Sequence, residues 1–102
     1  MEKFFNPKSV AVVGASRHPS KLGYVITKNM LTAGFKGKIF PINPNTNVIL
    51  DLPCYPSVLA VKEHIDTAII AIPSAFTPQV LEECGKKGIK HIIMVTAGFS
   101  EV

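Results

Sequence analysis

Eight residues near the amino terminus, Gly14-Ala15-Ser16-Arg17-His18-Pro19-Ser20-Lys21, combine the parts of a phosphate site. A glycine lets the chain turn sharply, and hydroxyl and cationic side chains follow it. The helix predicted to begin at Lys21 then adds unpaired N–H groups and the positive end of its dipole. Gly14, with Ser16, Arg17, His18 and Lys21 as donors around the same point, therefore marks an expected phosphate site. The turn is not a dinucleotide fingerprint, because GxGxxG is required for that and the next glycine after Gly14 is Gly23. The P-loop pattern GxxxxGK[ST] is absent as well.

The elements that must position this turn follow from hydropathy. The apolar run 9–14 closes on Gly14 and reads as a buried parallel strand feeding a tight turn. A helix is predicted over 21–33. Ser20 is its expected N-cap, Leu22, Val25, Ile26, Met30 and Ala33 its apolar face, and Gly34 its left-handed stop. The second strand is predicted over 38–42, where Pro41 must sit at the strand's end or with its missing N–H facing outward. Asn43-Pro44-Asn45 opens a loop. Segments 48–50 and 54–56 read as short extended pieces, and Ser57 as the cap of a brief helix over 58–63. The clearest strand is 67–72, ended by Pro73. Ser74 is expected to cap a helix over 75–87 that turns Phe76, Val80, Leu81 and Cys84 inward and stops at Gly88. The last strand is 91–95, followed by a turn at 96–99.

Strands and helices in alternation imply right-handed crossovers and a parallel sheet. The fold class expected is α/β: a Rossmann-like, doubly wound parallel sheet in a single three-layer domain over residues 1–102. The sequence stops at Val102, just after a strand-end loop, and a further helix and strand are expected beyond it. In such a sheet, ligands bind at the carboxyl ends of the strands where the strand order reverses. Gly14 to Ser20 would lie there. So would Ile42 to Asn47 after the second strand, Ile72 to Thr77 after the third long one, and Thr96 to Phe99 after the last. The second strand ends in Ile42-Asn43-Pro44, without the acid that would hold an NAD ribose, whereas Arg17 and Lys21 favour an additional phosphate.

Composition bounds these readings. The chain has 102 residues, 47% of them hydrophobic and 18% charged, which suits one small globular domain and leaves no room for a second catalytic one. Its net charge is +4, unevenly spread: residues 1–50 hold seven basic groups against one acid, residues 51–102 four against six. A basic first half suits an anionic partner. No patch interleaves aromatic and basic residues, so nucleic acid is not the expected partner. No apolar run approaches the ~20 residues of a membrane span and no leader pattern is present, so a cytoplasmic protein without membrane contact is expected. Cys54 and Cys84 form no CxxC pair and are read as free thiols. His18, His64 and His91 have no nucleophile or carboxylate arranged beside them in sequence, and no Cys/His spacing fits a metal. The chain thus carries no expected catalytic or metal-binding residues.

An ordered set of segments carries a family resemblance: Val12-Val13-Gly14-Ala15-Ser16, Gly37-Lys38-Ile39-Phe40-Pro41-Ile42-Asn43-Pro44, Cys54-Tyr55-Pro56-Ser57, Ala68-Ile69-Ile70-Ala71-Ile72-Pro73, and Thr96-Ala97-Gly98-Phe99-Ser100-Glu101. The set resembles the N-terminal CoA-binding domain of NDP-forming acyl-CoA synthetases, including ADP-forming acetyl-CoA synthetase. It is more distantly similar to the alpha subunit of succinyl-CoA synthetase. The resemblance implies coenzyme A as cofactor, with CoA or acyl-CoA and other domains or subunits of an acyl-CoA ligase as partners. It implies that Gly14, Ala15, Ser16, Arg17 and Lys21 hold the CoA phosphates and that Asn43 and Pro44 border the nucleotide. Ile72, Pro73 and Ser74 would line the pantetheine arm, and Thr96, Ala97 and Gly98 would approach its thiol. The family's phosphorylated histidine lies in a following domain, and none of the three histidines here matches it. A non-catalytic CoA-sensing or regulatory module and an NAD-binding redox domain are the alternative readings.

Overall fold

Ser9–Val13 is buried along its whole length, as a strand covered on both faces must be, and forms β1. The computed structural model describes residues 7–95. After β1 come α1 (Leu22–Thr32), β2 (Lys38–Ile42), the two-residue strands β3 (Val48–Ile49) and β4 (Leu52–Pro53), β5 (Thr67–Ile70), α2 (Thr77–Lys87) and β6 (His91–Met94). Short 3-10 turns occupy Val58–Ala60 and Ser74–Phe76. The main sheet is parallel with order β2-β1-β5-β6. The chain moves from β1 outward to β2, then crosses back to β5 on the other side of β1, so the strand order reverses between β1 and β5. This is the Rossmann-like α/β architecture, with one packed layer on each face of the sheet. One face buries Val10, Val12, Ala15, Ile49 and Cys54, with Ile26 and Met30 of α1 against them. The other buries Ala11, Val13, Phe40, Ile70, Val58, Val61 and Cys84 of α2.

Pro41 sits inside β2, opposite Val12, and is fully buried. Its nitrogen faces away from β1: on that outer side its own carbonyl accepts the Tyr55 N–H at 3.0 Å, and Asn43 N–H donates to the Tyr55 carbonyl at 2.8 Å. The stretch expected to be extended over 54–56 is therefore reduced to a single parallel bridge, Tyr55 to Ile42, that straps the end of β2. The strand proper is Leu52–Pro53, which pairs antiparallel with β3 through a turn at Leu50 and Asp51, both at positive φ.

Several helix features differ from expectation. α1 starts at Leu22, and its N-cap position is Lys21, with no side-chain cap. Ser20 falls one residue early, inside a turn closed by Lys21 N–H on the His18 carbonyl at 3.0 Å. The buried face of α1 runs through Gly23 and Thr27, whereas Val25 and Ala33 are exposed. The cause is close approach: the helix touches the sheet where it has no side chain, and Thr27 pays no polar penalty because its hydroxyl donates to the Gly23 carbonyl at 2.8 Å. Gly34 does end the helix, at φ 81°, with Phe35 N–H on the Met30 carbonyl and Gly34 N–H on that of Leu31. The brief helix after Ser57 is only the turn Val58–Ala60, capped as expected by the Ser57 hydroxyl, which accepts the Leu59 N–H at 3.1 Å. Ser74 does not cap α2. It lies in the preceding 3-10 turn, and the helix begins at Thr77 with Pro78 in its first turn, where a missing N–H costs nothing. Phe76 and Leu81 face outward, at 60% and 40% exposure, and Val80 and Cys84 are the inward pair. Gly88, at φ 90°, closes α2.

At the opposite edge of the sheet from the loops, Asp66 ties the amino-terminal ends of the strands together. It accepts the Lys8 N–H at 2.6 Å and meets the His64 ring at 3.0 Å. The Lys8 amide, and after it the His64 ring, outweigh partial burial and hold the Asp66 carboxyl below its ordinary value of 3.8. A depressed carboxyl stabilises the fold fully above the unfolded-state pKa, and that contribution is lost as pH falls through the lower folded value. Asp66→Asn is thus expected to lower Tm at about pH 7 and to lower it less at about pH 3. Equal losses at both values in parallel thermal melts would show that the charge plays no part.

Candidate functional site

The carboxyl ends of β1, β2 and β5 converge on Gly14 and Ala15. Gly14 takes φ 96°, a conformation that L side chains rarely adopt. A β-carbon there would overlap the Ala71 carbonyl oxygen and stand 2.8 Å from Cγ2 of Ile72. Its N–H donates to the Ile42 carbonyl at 3.2 Å, which closes the β2 side. Gly14 therefore lies at the point where the strand order reverses, between β1 and β5, with Ile72 beside it.

Beyond Gly14 the backbone donors are open. The N–H groups of Ala15, Ser16 and Arg17 meet no acceptor among the described residues, and neither do those of Leu22 and Gly23 in the uncapped first turn of α1. Backbone N–H groups are strong donors that folded chains seldom leave unpaired, so this run of unpaired donors is a candidate anion cradle. Ser16 Oγ accepts the His18 N–H at 3.0 Å, and this pins the loop while leaving the hydroxyl proton free to donate. Arg17, His18 and Lys21 are exposed around the same loop.

Gly23 is the residue that the spacing argument undervalued. A β-carbon on it would overlap the Gly14 carbonyl oxygen and lie 2.6 Å from that carbonyl's carbon and 2.9 Å from Cα of Ala15. Gly23 thus lets the first turn of α1 rest directly on the loop backbone, the role of a close-packing glycine in a nucleotide-binding turn. The second unforeseen contact is from Asn43, whose Nδ2 donates to the Ala15 carbonyl at 2.8 Å while its Oδ1 accepts the Asn45 N–H at 2.7 Å.

The expected site residues divide accordingly. Gly14, Ala15, Ser16, Arg17 and Lys21 form one loop, Asn43 is bonded to it, and Ile72 touches it. Pro44 and Pro73 are exposed on the neighbouring loops, and Ser74 begins the 3-10 turn after β5. Thr96, Ala97 and Gly98 lie outside the described residues. Cys54 and Cys84 are free and buried, and burial pushes both thiols up. Among the described residues, no three of His, Cys, Asp and Glu gather to hold a metal, and no helix is long and apolar enough to cross a membrane.

An unpaired donor loop at a strand-order reversal is the geometry of a nucleotide site. The model of a CoA-binding domain family matches residues 8–102. The chain belongs to that family. ADP-forming acetate–CoA ligase II of Archaeoglobus fulgidus is 50% identical over 101 residues, covering 99% of this chain and 15% of the ligase. The alpha subunit of ADP-forming acetate–CoA ligase I of Pyrococcus furiosus is 46% identical over 106 residues, covering 100% of this chain and 23% of the subunit. Among solved structures, acetyl-coenzyme A synthetase 1 of Ca. Korarchaeum cryptofilum, in complex with phosphate and ADP, superposes with a TM-score of 0.90 at 47% identity, covering 98% of this chain and 22% of that one. The chain thus spans less than a quarter of the length of these relatives, and what it matches is their CoA-binding part. Coenzyme A is the cofactor for which this family is named.

Proposed function

We propose that residues 1–102 are the coenzyme A-binding unit of an ADP-forming acyl-CoA ligase of the cytoplasm, which works with further domains or subunits that carry the phosphoryl chemistry. The observation that carries this reading is the open run of N–H groups from Ala15 to Arg17, set against an uncapped helix in a chain of the CoA-binding family. Coenzyme A fits the donor set, because its diphosphate asks for backbone N–H groups and its 3′-phosphate for extra cations, and Arg17 and Lys21 stand at the same loop. When bound, it supplies a thiol that takes up an acyl group from an acyl phosphate. The chain's own residues bind and orient. Gly14, Ala15 and Ser16 would receive the diphosphate, Arg17 and Lys21 the remaining charge, and Asn43 and Pro44 would border the nucleotide. Ile72, Pro73 and Ser74 would line the pantetheine arm, and the family resemblance assigns Thr96, Ala97 and Gly98 to its thiol end.

Calorimetric titration with coenzyme A, 3′-dephospho-CoA and NAD tests the reading. Coenzyme A is expected to bind most tightly and dephospho-CoA about tenfold more weakly, the worth of one charge-assisted contact set. NAD is expected to bind weakest, since the second strand ends without a ribose-binding acid. Tight NAD binding with none for coenzyme A would sink the proposal.

A further inference from the structure

We infer that Asn43 is a positioning residue that aims the phosphate loop through the Ala15 carbonyl, a role that rests on the coenzyme A reading above but concerns the loop rather than the ligand's identity. Asn43 is itself fixed on every side. Its backbone N–H donates to the Tyr55 carbonyl at 2.8 Å, its backbone carbonyl accepts the Cys54 thiol at 3.7 Å, and its Oδ1 accepts the Asn45 N–H at 2.7 Å. Tyr55 in turn is anchored edge-to-face on Phe40 of the core, with ring centroids 6.0 Å apart. The remaining group, Nδ2, donates to the Ala15 carbonyl at 2.8 Å. One partner of the amide is a pure donor and the other a pure acceptor, so its orientation is settled by chemistry.

The consequence is stereochemical. Ala15 and Ser16 are joined by a trans peptide, in which C=O and N–H point in opposite directions. Holding the Ala15 carbonyl toward the β2 loop therefore turns the Ser16 N–H away from it, and that N–H is among those with no acceptor among the described residues. Without the amide, the peptide is free to rotate and to present a carbonyl oxygen to an incoming phosphate. Asn43 thus fixes the sign of the dipole that the anion meets, without itself having to touch the anion.

The test is calorimetric titration of coenzyme A into the wild-type chain and three variants, each held well below its own unfolding temperature so that lost stability does not enter. Asn43→Ala is expected to weaken binding about tenfold, and Asn43→Asp more, because its carboxylate keeps the Asn45 contact but faces the Ala15 carbonyl with a second acceptor. Asn45→Asp places the same charge nearby without touching that carbonyl and is expected to stay within about threefold of wild type. A role limited to shaping the 43–45 turn predicts the reverse order, with Asn43→Asp near wild type and Asn43→Ala weaker. That order overturns the inference, as does an Asn45→Asp loss as large as that of Asn43→Asp. Amide NMR with inorganic pyrophosphate as probe separates the two proposals. Shifts of the Ser16 and Arg17 amides in the wild type that vanish in Asn43→Ala support positioning even where coenzyme A does not bind. Full shifts in Asn43→Ala, or none in the wild type, overturn positioning whatever the result with coenzyme A.

Discussion

Gly23→Ala is expected to destabilise this fold severely. The added carbon would meet the carbonyl oxygen and carbon of Gly14 and Cα of Ala15, all of them backbone atoms that cannot swing aside as a side chain does. Relief requires α1 to lift off the sheet, which would also pull Thr27 and the Ile26–Met30 contacts out of the core. Overpacking of this kind puts the cost at about 3 kcal/mol. In a domain of this size that corresponds to a Tm roughly 12–24 °C lower. Coenzyme A binding should fall with it, since the loop that α1 rests on is the loop with the open N–H groups. Gly85→Ala is the matched control. Gly85 lies within α2 with nothing near its missing β-carbon, so alanine there is expected to raise stability by about 0.5–1 kcal/mol. Thermal melts of the two variants decide the matter. A Gly23→Ala chain that melts with the wild type would mean that α1 does not seat on the loop as described.

The four parallel strands were legible because each is a short apolar run bounded by turn residues, and β1, buried on both faces, reads as continuously apolar. Gly34 and Gly88 were legible as helix stops for an equally local reason, the left-handed residue that ends a helix. Helix starts and faces were not. Ser20 and Ser74 have the right chemistry for caps, but a turn and a 3-10 segment displace α1 and α2 past them. The periodicity that placed Val25 and Phe76 inward counts side chains, whereas α1 makes its closest approach where a side chain is missing. Gly23 could have been flagged by one clue, a glycine in the first turn of a helix that follows a glycine turn. The Asn43 contact spans 28 positions and joins two loops, and nothing in local pattern announces it. That residues 14–21 and Asn43 lie in loops at the strand ends was thus legible by type, and the wiring between those loops only from the fold.

Arg17→Ala combined with Lys21→Ala is expected to weaken coenzyme A binding about a hundredfold, roughly tenfold from each cation. Both side chains are exposed, so each acts partly through solvent and neither reaches the strength of a buried ion pair. They stand, however, beside unpaired N–H groups that would hold a phosphate in place, where a cation gains from a fixed partner and loses little entropy in finding it. Two further signatures follow. The double variant should show a shallower fall of affinity with added salt, because two screened attractions are gone. Its loss should also be smaller for 3′-dephospho-CoA than for coenzyme A, because the cation that meets the 3′-phosphate has nothing to hold in the shorter ligand. The competing explanation is that the basic first half attracts any anion diffusely. Lys28→Ala combined with Lys36→Ala tests it, since both are exposed lysines of the same half outside the loop. That pair is expected to leave affinity within about threefold of wild type, as surface charges screened by salt do. A loss equal to that of the Arg17 and Lys21 pair would mean that the protein gathers coenzyme A by its overall charge and that the loop cations carry no special role.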